Sequence, residues 1–208
     1  MKLLVLGGTG GTGRQIVQQA LEAGHDVTVL ARDPAKMVTP HPRLRVVPGG
    51  VADTQGIVDA MRGQDAVISA LGRGLSFRSE HLIERSVPGI LSAMKTAGVR
   101  RLIFMSAWGV GATKQDAPLL PMLFFNTLLR GIYADKLAGD ELIRKSDLDW
   151  TIVLPTKLHD GPLTRNYRSG ERLPIQGMPS ISRADTAHFM LDCINNPASI
   201  RKSLAVSI

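Results

Sequence analysis

The residues Gly7-Gly8-Thr9-Gly10-Gly11-Thr12-Gly13 have the composition of a phosphate-binding turn. Gly7, Gly10 and Gly13 recur at intervals of three, and glycine lets a chain reverse sharply while a phosphate approaches the backbone. Amides opening a following helix point toward such a group, and the helix dipole favours its charge. Gly11 lies among these amides, while Thr9 and Thr12 can add hydroxyl donors. A P-loop is excluded, because no Gly-Lys-Ser/Thr follows to hold phosphates and magnesium. The pattern therefore points to a dinucleotide.

Further along, Ala31-Arg32 stands where an acidic residue would bind the adenosine ribose of NAD. Arg32 can grip a 2′-phosphate with two parallel hydrogen bonds, and Lys36 can supply a second cation. The reading is NADP(H), with Asp33 placed either to meet ribose or to neutralise Arg32. Ser106 follows a candidate strand and can reach a substrate carbonyl or the nicotinamide amide. Trp108, Phe124, Phe125 and Tyr167 offer either an aromatic platform or plain core, and Lys157, Arg165 and Arg168 either an anion site or a solvated loop. Cys193 reads as a buried helix residue.

These residues need strands to carry them to a common edge. Lys2 to Leu6 reads as a first strand, Thr12 to Ala23 as a helix stopped by Gly24, and Asp26 to Ala31 as a second strand. Further strands are expected at Leu44 to Val47, Asp65 to Ala70, Arg101 to Met105 and Trp150 to Leu154. Ser79 to Ala97 and Asp135 to Lys145 read as helices. Ser182 and Asp185 resemble a capping box before Ala187 to Ile194, and Leu204 to Ile208 reads as a last edge strand. The alternation predicts an α/β fold: one doubly wound, mostly parallel sheet over residues 1–208, a single Rossmann domain. Substrate-site loops are expected mainly in 106–135 and 155–182, with Leu158 to Pro179 an ordered loop region.

Composition agrees with one folded domain: 208 residues, 44% hydrophobic and 21% charged, exclude wholesale disorder. A single cysteine excludes an internal disulfide and suits a reducing cytoplasm, and the five histidines lack ligand spacing, so no metal is assigned. The glycines interrupt the apolar start before an export signal would be complete, and no stretch reaches the length of a membrane span. The net charge of +7 favours an anionic partner, but dispersed Lys and Arg without a recognised nucleic-acid motif argue against DNA or RNA.

Over nearly its whole length the chain resembles the atypical short-chain dehydrogenase/reductases, nearest the biliverdin-IXβ reductase/flavin reductase group. The marks are LGGTGGTG at 6–13, VTVLARD at 27–33, GQDAVISALG at 63–72, MSAWG at 105–109, DGPLT at 160–164 and ISRADTAHFML at 181–191. The resemblance implies an NADPH-dependent oxidoreductase passing hydride to a flat acceptor (flavin, quinone or tetrapyrrole), acting as monomer or homodimer. It matches Thr12, Arg32 and Lys36 to cofactor phosphate contacts, sets Leu71-Gly72 beside the dinucleotide and Leu154-Pro155-Thr156-Lys157 near the nicotinamide, and matches Ser106 to a serine after the fifth strand. Where similar chains carry Gly-Asp-Val to meet adenine, this one has Gly49-Gly50-Val51, leaving backbone amides of Gly50 and Val51 for that role. Lys157 replaces a histidine of that group.

The superfamily's Tyr-x-x-x-Lys proton donor is also altered. Lys136 stands at the lysine position, but Ile132 occupies the tyrosine position and Tyr133 is one residue late. Tyr133 is either a shifted catalytic group or an interfacial aromatic with its hydroxyl in solvent. Ser106, Tyr133, Lys136 and Lys157 are the catalytic candidates. An easily reduced acceptor can also take its proton from water. The alternative is a dinucleotide-sensing regulator resembling NmrA-like proteins, without turnover.

Overall fold

The computed structural model describes residues 1–37, 40–72, 81–111, 113, 130–174 and 179–208. Phe124, Phe125 and the first residues of the predicted 79–97 helix lie outside them, as does much of the 106–135 loop region.

Six parallel strands form the body of the sheet: β1 (Lys2–Leu6), β2 (Asp26–Ala31), β3 (Leu44–Pro48), β4 (Ala66–Ser69), β5 (Arg101–Met105) and β6 (Asp149–Pro155). Short strands β7 (Lys157–His159), β8 (Arg168–Gly170) and β9 (Ser180–Ser182) precede β10 (Lys202–Ser207). The main sheet runs β3-β2-β1-β4-β5-β6-β10-β8, and β7 pairs with β9 apart from it. The chain leaves β1 toward β2 on one side and later returns to β4 on the other, so a crevice opens above the β1/β4 boundary, the usual ligand position in such sheets.

Helices α1 (Gly11–Glu22), α2 (Thr54–Met61), α3 (Leu82–Ala97), α4 (Arg130–Lys145) and α5 (Arg183–Ile194) cover both faces. In β1, Leu3 and Val5 pack with Ile16 and Ala20 of α1 and Met190 of α5, whereas Leu4 and Leu6 join Ile57 of α2, Ile90 of α3 and Ile143 of α4. Both sets are fully buried, which is why β1 reads as a continuous apolar run rather than an alternating one.

Three expectations need correction. The last strand is not an edge: β10 lies parallel to β6 and antiparallel to β8, pairing Ala205 with Gly170 and Val206 with Ser169. The region read as loop therefore includes a strand that covers the sheet's apolar margin. Helix α4 does not start at Asp135 but extends back at least to Arg130. The Asp135 carboxylate caps a different helix, accepting from the backbone N–H groups of Ile83 at 3.2 Å and Glu84 at 2.8 Å in α3. Helix α5 starts at Arg183 rather than Ala187, with the Ser182 hydroxyl accepting from the Asp185 N–H at 2.9 Å.

At the lower end of the sheet, Arg101 binds the strands to α5. Its guanidinium donates to the carbonyls of Asp149, Cys193 and Ile194 and to the hydroxyls of Thr151 and Ser199. Two of these carbonyls close α5, where orphaned acceptors and the negative dipole end both favour a cation. Cys193 is buried there, and that burial pushes its thiol up to about 11. No helix among the described residues is long and apolar enough to cross a membrane.

Candidate functional site

The glycine turn forms the floor of the crevice. Gly7 has φ +79°, and a Cβ there would approach the Ala70 carbonyl oxygen to 2.7 Å, so the turn abuts the end of β4. A Cβ on Gly13 would collide with the Gly7 carbonyl, which itself accepts from the Gly10 N–H at 3.0 Å. Gly10 caps α1 without a side-chain hydrogen bond, and the first turn carries no acidic residue. The opening amides of α1 thus meet no anionic or capping side chain of that turn, which is the arrangement an anionic ligand completes. Thr9 is half-buried and Thr12 buried. Leu71 packs against the apolar cluster beneath the crevice, while Gly72 faces open space.

Beyond β2, Arg32 is exposed, and its aliphatic stem runs over Gly50: a Cβ there would lie 3.3 Å from Arg32 Cγ. Asp33 pairs with Lys36 at 3.5 Å, both side chains more than half exposed, and Arg32 has no ion-pair partner among the described residues. Arg14, missed by the sequence reading, donates to the Lys36 carbonyl at 3.4 Å and adds another cation to this corner. Val51 is half-buried, its side chain packed against the same apolar cluster as Leu71.

Ser106, Lys136 and Tyr133 converge on the end of β5. The buried Ser106 hydroxyl donates to Asp140 Oδ2 at 2.9 Å, and Lys136 Nζ donates to the Ser106 carbonyl at 3.2 Å. Tyr133 donates to the Trp108 carbonyl at 3.1 Å, so its hydroxyl is not simply in solvent; burial pushes it up to about 12. Burial lowers Lys136 against the attraction of Asp140 and Asp135. Asp140 is fully enclosed, and burial raises it to about 6 despite the Ser106 hydrogen bond and the charges of Arg144 and Lys136. Among the described residues, its other oxygen, Oδ1, is buried without a hydrogen-bond partner. Asp140 was legible only as the residue one helical turn beyond Lys136.

The segment after β6 is more dispersed. Pro155 is buried and its carbonyl accepts from the Trp108 N–H at 2.9 Å, whereas Lys157, Arg165 and Arg168 are exposed. Trp108 and Tyr167 do not share a platform. Trp108 is packed with Leu173 and Ala205, while Tyr167 stands against Phe189 and hydrogen-bonds His188 at 2.6 Å. The enclosed Asp185 ties this segment to α5, accepting from the N–H groups of Thr164 and Arg165 and from the Thr164 and Ser182 hydroxyls. Burial would raise that carboxyl, but these donors hold it below the usual range.

A family model described as NAD(P)H-binding matches residues 7–197. The chain belongs to this NAD(P)H-binding family. Among curated relatives, it is 26% identical to the photosystem II assembly factor Ycf39 of Synechocystis over 99% of this chain and 62% of that one. It is 30% identical to pinoresinol reductase 1 of Arabidopsis thaliana over 99% of this chain and 68% of that one. The chain thus spans about two thirds of the length of these relatives. A short-chain dehydrogenase/reductase from Veillonella parvula, solved in complex with NADP, shares the fold with a TM-score of 0.85 at 18% identity, covering 100% of this chain and 94% of that one. Together they place the chain among the atypical short-chain dehydrogenase/reductases. The residues present fit the family's nicotinamide dinucleotide, since side chains at Gly7 or Gly13 would fill the turn against the backbone.

Proposed function

We propose that the protein is an NADPH-dependent reductase acting on a flat, easily reduced acceptor such as a flavin, quinone or tetrapyrrole. The observation that carries the cofactor choice is Arg32, exposed at the end of β2 with no acidic partner among the described residues, beside a Lys36 paired with Asp33. When bound, the reduced nicotinamide supplies the hydride. The protein's own work is to hold and orient. The Gly7–Gly13 turn and the start of α1 receive the diphosphate, Arg32 the 2′-phosphate, and the backbone at Gly50 and Val51 the adenine. Leu71, Gly72 and Pro155 border the crevice. Ser106 and Lys136 hold the end of β5 beside it, and Lys157 stands at its exposed rim. Tyr133, held neutral by burial, can donate a proton only if it leaves the Trp108 carbonyl. A reductase among the relatives supports this reading.

Following NADPH absorbance with FMN, FAD and a quinone tests it. Oxidation with at least one acceptor is expected; tight NADPH binding without oxidation by any of them would favour the second reading, a cofactor-sensing protein without turnover. That reading draws on Ile132 at the tyrosine position, on the Ser106 hydroxyl directed at Asp140, and on a relative named as an assembly factor.

A further inference from the structure

We propose that Arg183, the first residue of α5, is a diphosphate ligand that closes over the glycine turn from the opposite helix; the proposal rests on the cofactor reading above. A Cβ on Gly11 would lie 2.7 Å from Arg183 Cδ and 2.8 Å from its Nε, so the side chain runs against the backbone of the first residue of α1. Its base is fixed. Ser182 caps α5, and Gln19 of α1 donates to the neighbouring Ala184 carbonyl at 2.9 Å.

The electrostatics of this corner are unbalanced. A cation at the first position of a helix faces the positive end of the dipole, and the start of α1 presents a second such end with no acidic residue in its first turn. Two carboxylates are near. Asp185 is enclosed and already accepts from Thr164, Arg165 and Ser182. Asp160 pairs with Arg183 at 2.8 Å, but its side chain is 93% exposed, where water competes for the pair. That bond uses Nη1, and a guanidinium has five N–H donors in all. A doubly charged diphosphate at the turn offsets the start of α1 and the guanidinium at once, whereas the start of α5 already has Asp185 in its first turn. Gly11 is then required for a reason separate from chain reversal: a side chain there would occupy the path of Arg183.

Calorimetry of the full chain with NADPH and with NADH tests this. Arg183→Gln is expected to weaken both coenzymes by about tenfold, leaving their affinity ratio unchanged. Gly11→Ala, which displaces the arginine while leaving it in place chemically, is expected to weaken binding in the wild-type background and to add nothing in the Arg183→Gln background. Wild-type affinity for both coenzymes in either single variant would overturn the proposal, and so would a loss confined to NADPH, which would assign Arg183 to the 2′-phosphate. Absence of heat with the wild-type protein would overturn the cofactor reading itself, a separate result.

Discussion

The buried hydroxyl of Ser106 donates to the enclosed carboxylate of Asp140 at 2.9 Å. The end of β5 is thereby locked to α4, and Lys136 on the same helix reinforces the link through the Ser106 carbonyl. A hydroxyl so committed reaches substrate only as an acceptor, or after Asp140 has taken up a proton.

Asp140 makes stability pH-dependent in a direction opposite to that of most carboxylates. Its folded value of about 6 lies above the ordinary 3.8, so the folded state binds the proton more tightly. Its favourable contribution is present below the ordinary value and is lost as pH rises through about 6. Relative to wild type, Asp140→Asn is expected to gain on the order of 1 kcal/mol on moving from about pH 5 to about pH 7.5. Urea unfolding at the two pH values measures it; an equal difference at both would contradict the assignment.

The corner after β2 predicts coenzyme preference. Arg32→Ala is expected to lower NADPH affinity by about ten- to a hundredfold and to leave NADH affinity nearly unchanged. Asp33→Asn frees Lys36 and is expected to raise NADPH affinity by about two- to threefold, since an exposed pair is worth little. Titrations with both coenzymes read the ratio directly. An unchanged ratio in Arg32→Ala would remove Arg32 from the cofactor site.

Arg101 predicts stability without function. Arg101→Ala leaves the carbonyls of Cys193 and Ile194 and the hydroxyls of Thr151 and Ser199 without their shared donor. A loss of roughly 2 to 4 kcal/mol is expected, because hydrogen bonds to a charged group are stronger than neutral ones and their buried partners lose them together. Coenzyme affinity of the folded variant is expected to match wild type, as Arg101 opens β5 at the end opposite the crevice.

The strands of the body and the phosphate turn were legible because both depend on local spacing: apolar runs buried on two faces, and glycines between a strand and a helix. Ser182 and Asp185 were legible for the same reason, their spacing being that of a cap. What the sequence hid was long-range. Arg183 and Gly11 are 172 positions apart yet touch, and the caps of α3 come from Asp135 on α4. Asp33 lies beside Arg32 in the chain, but the helical turn after it brings Lys36 back to its carboxylate. Short strands such as β8 carry too few residues to show a period, so the margin they cover looked open.

That margin bears on how copies of the protein can meet. With β8 running antiparallel along the second half of β10, the edge groups of Ala205 to Ser207 that would otherwise invite a neighbouring chain are taken up internally, and the outermost strand is only 3 residues long and begins with a charged arginine. Self-association by extending the sheet is disfavoured on this flank, and with it one common route to aggregation.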